Sequence, residues 1–396
     1  MLMYRSFKYA LKRGLLLNLD CLVAVGGTSS VPNGVAIVRL DAIGDFIIWL
    51  DSAKEYRRLF PDKRITLIAN TAWADLARCL PYWDEVWGID VLRFTQNIFY
   101  RWKWLRTFSR STFELTFQPT YSRVLLLGDS VIRASRAIQR LGSVGDLSNM
   151  STKDKDLGDR WYTQLLPVSA VPIMELRRNA EFYSQFAGQA YSASLPKLPV
   201  LVALDREKQP ESMYFVIFPG ASWQGRQWPI QSFAKILHHL HRCYNWQAVL
   251  CGSLADRALC EAIAIESRVD CLNFAGRTTL AELTELIRGA RLLIGNETSA
   301  VHIATAVGTA AVCILGGGHF GRFLPYPESL EGLKPLIAMQ KMPCFGCNWH
   351  CDQPHDPVGP VPCISKISVE LVTRRAAQAI EQSHQHGLLP ISTETM

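Results

Sequence analysis

The feature that most constrains this chain is an alternation that occurs twice. From about residue 32, apolar runs of strand length at 35–40, 65–69, 85–89 and 114–118 are separated by amphipathic stretches of helical length at 46–60 and 72–80, followed by a helix to about 140. The pattern becomes polar and irregular over 142–158 and ends in a helix near 174–187. After a Pro-, Ser- and Lys-containing stretch at 192–210 it begins again, with strands expected at 214–218, 247–251, 272–274, 292–295 and 311–315 and helices at 230–243, 256–265, 280–289 and 299–307. Strands that alternate with helices form parallel sheets, because parallel neighbours need a long crossover and the helix supplies it. The expected fold class is therefore α/β, with two Rossmann-like doubly wound domains facing a cleft. A chain of 396 residues that is 48 % hydrophobic can fill two cores of about 150–200 residues each. The expected boundaries are a basic N-terminal extension at 1–31, a first domain at 32–191, a linker at 192–211, a second domain at 212–340, and a cysteine-containing segment with a C-terminal helix at 341–396.

Charge narrows the partners. A formal charge of +7, from 42 basic against 35 acidic residues with no long basic run, suits an anionic ligand or an anionic membrane surface better than nucleic acid. Of the eleven cysteines, only Cys344, Cys347, Cys351 and Cys363 cluster. Scattered single cysteines behave as small core residues, and the distribution fits a reducing cytoplasm rather than a disulfide framework. The cluster has spacing suited to structural zinc, with a disulfide or packed free thiols as the alternatives.

No uninterrupted run of about 18 apolar residues is present, which excludes a membrane-spanning helix. Arg5, Lys8, Lys12 and Arg13 ahead of Leu15, Leu16 and Leu17 resemble the start of an export signal, but Asn18 and Asp20 interrupt the apolar run. A basic amphipathic helix lying on a membrane, or a weakly docked extension, is the expectation there. Residues 93–110 combine Phe99, Tyr100, Trp102, Trp104 and Phe108 with five basic residues and no acid, a composition that suits a lipid headgroup interface or a helix packed on its own sheet.

Three strand-end loops in the second series have complementary chemistry. Pro219-Gly220-Ala221-Ser222 leads to Arg226 and to Pro229 at a helix start, so backbone N–H groups lie close in sequence to a guanidinium. Glu297-Thr298-Ser299 opens a helix whose N-terminus attracts phosphate oxygens, and His302 follows about one turn later. Cys251-Gly252-Ser253-Leu254-Ala255-Asp256 ends another strand with a carboxylate suited to a ribose. No Walker-type Gly-Lys-Ser/Thr occurs, which lowers the odds of a nucleoside triphosphatase.

The order of Arg39-Leu40-Asp41-Ala42-Ile43-Gly44-Asp45, Phe60-Pro61-Asp62, Pro219-Gly220-Ala221-Ser222, Arg226-Gln227-Trp228-Pro229 and Gly295-Asn296-Glu297-Thr298 with His302 resembles glycosyltransferase family 9, the heptosyltransferases of lipopolysaccharide core assembly. The resemblance runs from about 35 to 372. It implies the glycosyltransferase-B fold, a nucleotide-diphosphate sugar as donor substrate, a glycolipid or lipopolysaccharide acceptor, inversion at the sugar carbon, and no required cofactor or catalytic metal. It also implies a cytoplasmic enzyme, peripheral on the inner membrane. The family's catalytic aspartate matches Asp45, with Gly44 beside it, while Asp41 falls where the family more often has Ser or Thr and is expected on the acceptor side. The family's phosphate-binding lysine matches Arg226, its ribose carboxylate Asp256, and its Asp-Thr-Gly turn Glu297-Thr298-Ser299. A longer acid arm and an added side chain at Ser299 depart from that turn and leave open a non-catalytic saccharide-binding protein on the same scaffold. A nucleotide-sugar epimerase, which shares the two-domain fold, is the other alternative.

Overall fold

The computed structural model describes residues 2–23, 34–169 and 171–385, with side chains from residue 13 onward. It divides into two compact units, residues 1–171 with 177–193, and residues 172–176 with 194–396.

The first unit is built on six parallel strands: β1 (Val35–Arg39), β2 (Ile65–Asn70), β3 (Glu85–Ile89), β4 (Leu115–Gln118), β5 (Gln139–Ser143) and β6 (Gln164–Leu166). They lie in the order β3-β2-β1-β4-β5-β6. Every residue of β1 is buried, as a central strand covered on both faces requires. The chain adds strands on one side of β1 and then returns to place β4 on the other. The β1/β4 boundary is thus a topological switch point, where the carboxyl ends of the strands leave room for ligands. The helix that follows β1, Ile43–Leu59, buries Phe46, Trp49 and Tyr56, and Phe46 stacks on Trp73 with ring centres 4.1 Å apart.

An N-terminal helix, Leu2–Val23, docks on this unit rather than lying apart from it. Leu16, Asp20 and Val23 are buried, and Arg13 pairs with Asp154. The anchor is Asp20, which receives two hydrogen bonds from Arg101, at 2.8 Å from Nε and 2.7 Å from Nη2. Arg101 also donates to Ser130 Oγ at 2.7 Å and to the Leu126 carbonyl at 2.8 Å, and its side chain is fully buried. The reading of residues 93–110 as one basic aromatic surface is therefore corrected at Arg101. On the helix Ile98–Arg110, residues 101, 105 and 108 form the inward face, so this guanidinium serves the core. The outward face still carries Phe99, 84 % exposed, and Trp102, on which Arg106 stacks at 4.6 Å. Arg101→Met should leave Asp20 buried without its partner and cost about 3 kcal/mol or more. Urea unfolding measures this, and an unchanged midpoint would remove the anchor from the account.

The second unit repeats the design with β7 (Tyr214–Phe218), β8 (Gln247–Leu250), β9 (Cys271–Asn273), β10 (Leu293–Asn296), β11 (Ala311–Ile314) and β12 (Leu336–Ala338), in the order β12-β11-β10-β7-β8-β9 and again parallel. Its switch point lies between β7 and β10. The core joins Phe215, Ile217, Trp228, Ile294 and Val312 to Val372, Ala376 and Ile380 of the helix Val369–Gln385. Buried residues from Val361 to Ile380 are thus part of this unit's core.

Candidate functional site

In the first unit, Asp41, Gly44 and Asp45 occupy the turn from β1 into the helix Ile43–Leu59, at the carboxyl end of the central strand. All three are half-buried, and Asp45 lies in the helix's first turn, where the helix dipole favours a carboxylate. The two acids are treated differently. Asp41 pairs with the fully buried Arg39, Nε to Oδ2 at 2.8 Å, and its backbone carbonyl accepts from Asn70 and from Trp73, each at 3.0 Å. Arg39 also donates to Asn179 Oδ1 at 3.0 Å and to the carbonyls of Pro119 and Asp45, each at 3.4 Å. One cation thereby fixes the turn from inside. Sequence reasoning quoted Arg39 as part of a motif but missed this role, because its partner Asn179 lies 140 residues away.

A second group was also missed. Asp129 is buried with Arg123 at 3.4 Å, and Tyr162 Oη stands 2.6 Å from Asp129 Oδ1 and 2.8 Å from Gln118 Oε1 at the end of β4. Burial pushes the Asp129 carboxyl up, and Arg123 opposes it.

In the second unit, the residues singled out at the ends of β7, β8 and β10 converge around the switch point. Asn296, buried at the end of β10, donates to the Pro219 carbonyl at 2.6 Å and accepts from the Trp228 amide at 3.1 Å, holding both ends of the loop between them. Within that loop Arg226 donates to Ser222 Oγ at 3.1 Å, to the Glu297 carbonyl at 2.7 Å and to Glu297 Oε2 at 3.2 Å. Its guanidinium stacks over Trp349 at 4.7 Å. A Cβ at Gly220 would lie 2.6 Å from the Asp256 carboxylate, which would have to move aside. Ala221 is half-buried beside Gly220, and Ser222 is exposed. Asp256 Oδ2 accepts from the Ser253 amide at 2.8 Å and from Ser253 Oγ at 2.6 Å, closing a capping box.

Thr298 stands at the N-cap of the helix Ser299–Val307 but makes no side-chain cap, and its Oγ1 is buried without a hydrogen-bond partner. Glu297 Oε1 and Arg226 Nε are orphaned in the same way. Buried polar atoms without partners carry a desolvation cost, which a polar ligand bound beside them would relieve.

His302 is placed differently from its expectation. It is buried, its Nδ1 lies 3.0 Å from Tyr326 Oη, and burial lowers its pKa to about 4, so it stands as a neutral residue within the core. Ala300, Val301, Ile303 and Ala304 around it are buried as well, leaving this helix no solvent face at that level.

The stretch Gly316-Gly317-Gly318-His319-Phe320-Gly321 has Gly-x-Gly-x-x-Gly spacing, but no helix follows it. Side chains at Gly316 and Gly318 would strike Trp349, and one at Gly317 would strike Phe345. These glycines make room for aromatic rings, and a dinucleotide turn is not formed. All the described cysteines are free thiols, and among the described residues no three His, Cys, Asp or Glu already stand as a metal-binding group.

Glu297 is the site's titrating group. Burial raises its pKa from 4.5 to about 7 against the opposing pull of Arg226. The folded protein therefore binds this proton more tightly than the unfolded chain, so its stabilising contribution is complete below about pH 4.5 and is lost as pH rises through about 7. Thermal unfolding of the ligand-free protein should show wild type losing ground to Glu297→Gln across that window. Parallel profiles would refute the assignment.

Two units of six parallel strands, each with its loops at a switch point, form the glycosyltransferase-B architecture. Residues 169–351 match the model of glycosyltransferase family 9 (heptosyltransferase), and the chain carries that family's domain; it is a glycosyltransferase. It is 21 % identical over 320 residues to lipopolysaccharide heptosyltransferase 1 of Pseudomonas aeruginosa, covering 79 % of this chain and 85 % of that protein. Its fold is similar to that of a glycosyl transferase family 9 protein from Veillonella parvula, with a TM-score of 0.69 at 14 % identity over 89 % of this chain and 98 % of the other. It is also similar to that of the E. coli heptosyltransferase WaaC with ADP-2-deoxy-2-fluoro heptose, with a TM-score of 0.61 at 12 % identity over 89 % and 99 %.

Proposed function

We propose that this chain moves a heptose or related sugar, with inversion, from a nucleotide-diphosphate donor to a lipopolysaccharide core or similar glycolipid. The observation that carries the donor half is the Arg226, Glu297 and Thr298 cluster with its three orphaned polar atoms at the β7/β10 switch point. A cation beside a helix N-terminus suits a diphosphate, and unpaired carboxylate and hydroxyl oxygens suit a sugar. Asp256, one loop over, keeps Oδ1 for a ribose hydroxyl while Oδ2 holds Ser253. The donor named in the WaaC structure, an ADP-linked heptose, supports this class of ligand.

In the first unit, Asp45 takes the proton from the acceptor hydroxyl as that oxygen attacks the anomeric carbon from the face opposite the leaving diphosphate. Negative charge growing on the diphosphate is met by Arg226, the Ser222 loop and the amides at Thr298–Ser299. Calorimetry with a panel of nucleotide-diphosphate sugars tests the donor half. Binding should need the nucleotide, and a protein that bound free saccharide but no nucleotide would overturn the reading.

A lipid-borne acceptor also gives a use to the exposed Phe99, Trp102 and Lys103 with neighbouring Leu92 and Ile98. Among the described residues no helix is long and apolar enough to cross a membrane. Attachment through aromatic rings and a few cations is reversible and weakened by salt. Changing Phe99 and Trp102 to serine and Lys103 to glutamate should abolish sedimentation with anionic vesicles while leaving donor affinity unchanged. Equal sedimentation of variant and wild type would remove this surface from the proposal.

A further inference from the structure

His319 stands half-buried in the loop that follows β11, the neighbour of β10 in the second sheet, and no step of the proposed transfer uses it. The loop is folded tightly: the Phe320 amide donates to the Gly317 carbonyl at 3.3 Å and the Arg322 amide to the His319 carbonyl at 3.0 Å. With no side chains at Gly316 and Gly318, the Trp349 ring lies against it. Trp349 then serves three neighbours. Arg226 lies over its ring at 4.7 Å, and the rings of His319 and Trp223 meet it nearly at right angles, with centres 6.1 and 6.3 Å away. The segment that presents Trp349 carries two successive left-handed residues, Asn348 at φ 51° and Trp349 at φ 63°. Side chains other than glycine rarely adopt this conformation, and it concentrates at functional sites. The Asn348 amide fixes it by donating to the Gly318 carbonyl at 2.9 Å, and Asn348 Oδ1 comes within 2.7 Å of His319 Nε2. An amide oxygen only accepts, so Nε2 carries the proton and Nδ1 of the neutral ring is left as an acceptor. Burial lowers the His319 pKa against the pull of Asn348, and Arg322 and Arg226 lower it further, so the ring is neutral at pH 7.

We propose that His319, held in this tautomer by Asn348, is a specificity-determining residue of the donor site that accepts a hydrogen bond from a hydroxyl of the transferred sugar. The chemistry separates the two halves of a nucleotide-diphosphate sugar. Phosphate oxygens only accept, so they gain nothing from a neutral ring nitrogen that also accepts, whereas a sugar hydroxyl donates. A cation and an acceptor that share Trp349 suit a diphosphate and the sugar attached to it. Asn348 itself touches no ligand; it is a positioning residue that acts through the tautomer of His319. This role for His319 rests on the proposed donor role of Arg226.

Calorimetry on the full chain tests this with three kinds of probe: a nucleotide-diphosphate heptose, the same nucleotide diphosphate without its sugar, and analogues of the heptose donor that each lack one hydroxyl. His319→Phe keeps a ring against Trp349 and removes the acceptor. It should bind the heptose donor about five- to tenfold more weakly than wild type and the sugar-free nucleotide equally well. Wild type should lose about the same factor on one of the deoxy analogues, while His319→Phe binds that analogue as well as it binds the full donor. Asn348→Ala, at an exposed position, frees the tautomer and should lose part of the same discrimination, which keeps the test open should His319→Phe fail to fold. Equal weakening of the heptose donor and the sugar-free nucleotide would overturn the proposal, because it marks a contact to phosphate or a loss of structure. So would variants that discriminate among the deoxy analogues as wild type does. Failure of the donor reading looks different: wild type would then bind neither the nucleotide diphosphate nor its heptose derivative, and both proposals would fall together.

Discussion

Replacing Asp45 by asparagine should lower turnover by about 10²-fold or more while leaving donor affinity unchanged. The substitution keeps the size and much of the hydrogen-bonding capacity of the side chain and removes its basicity, so only the step that needs a proton acceptor suffers. The surrounding structure supports a clean experiment. The turn is held by Arg39 through Asp41 and the Asp45 carbonyl, and Phe46, next in the helix, is locked against Trp73, none of which depends on the Asp45 charge. Asp41 provides the contrast. Asp41→Asn leaves the buried Arg39 without its counter-charge, so its effect should appear in unfolding free energy. Turnover and calorimetric donor affinity measured on both variants separate these outcomes, and an Asp45→Asn enzyme of full activity would remove Asp45 from catalysis.

Arg226→Gln should reduce turnover by about 10²–10³-fold and also weaken donor binding if its guanidinium meets the diphosphate as proposed. Lysine should not restore it fully. Arg226 reaches Ser222 Oγ and both the carbonyl and the carboxylate of Glu297 while stacking on Trp349, a set of contacts that needs a planar fork. The same substitution strips the buried Glu297 of its counter-charge, so the carboxyl should become harder still to ionise. The double variant Arg226→Gln/Glu297→Gln should therefore recover stability lost in the single variant without recovering turnover, a coupling that a double-mutant cycle measures directly. Equal loss of stability in the single and double variants would show that the two side chains do not act as a pair.

The strands were legible because buried parallel strands read as continuous apolar runs: 35–40 and 214–218 are the central strands of the two sheets. The strand-end loops were legible for a related reason, since glycine, proline and capping residues cluster where a strand turns into a helix. What the sequence concealed was mostly long-range pairing. Arg101 reads as one of five cations in an aromatic stretch, and its partner Asp20 reads as an interruption in an apolar run; only the fold joins them across 81 residues. A signal was present, since Arg101, Leu105 and Phe108 recur at helical spacing and turn a single face inward. His302 carried a similar signal in the apolar residues on both sides of it, which spoke for burial against the one-turn spacing from Thr298. The roles of Arg39 and Asn296 as fasteners of the two switch-point loops, and the seating of Trp349 beneath Arg226, depend on tertiary contacts that no local pattern encodes.

Sugar transfer itself is the most direct test. The purified chain is incubated with a nucleotide-diphosphate heptose and with glycolipid from a strain lacking the gene, and acceptor mass and released nucleotide are followed together. The account requires the acceptor to gain one sugar for each nucleotide diphosphate released, with wild type active and Asp45→Asn nearly inactive. Donor bound without transfer to any acceptor, or donor converted to its epimer with no acceptor present, would contradict it.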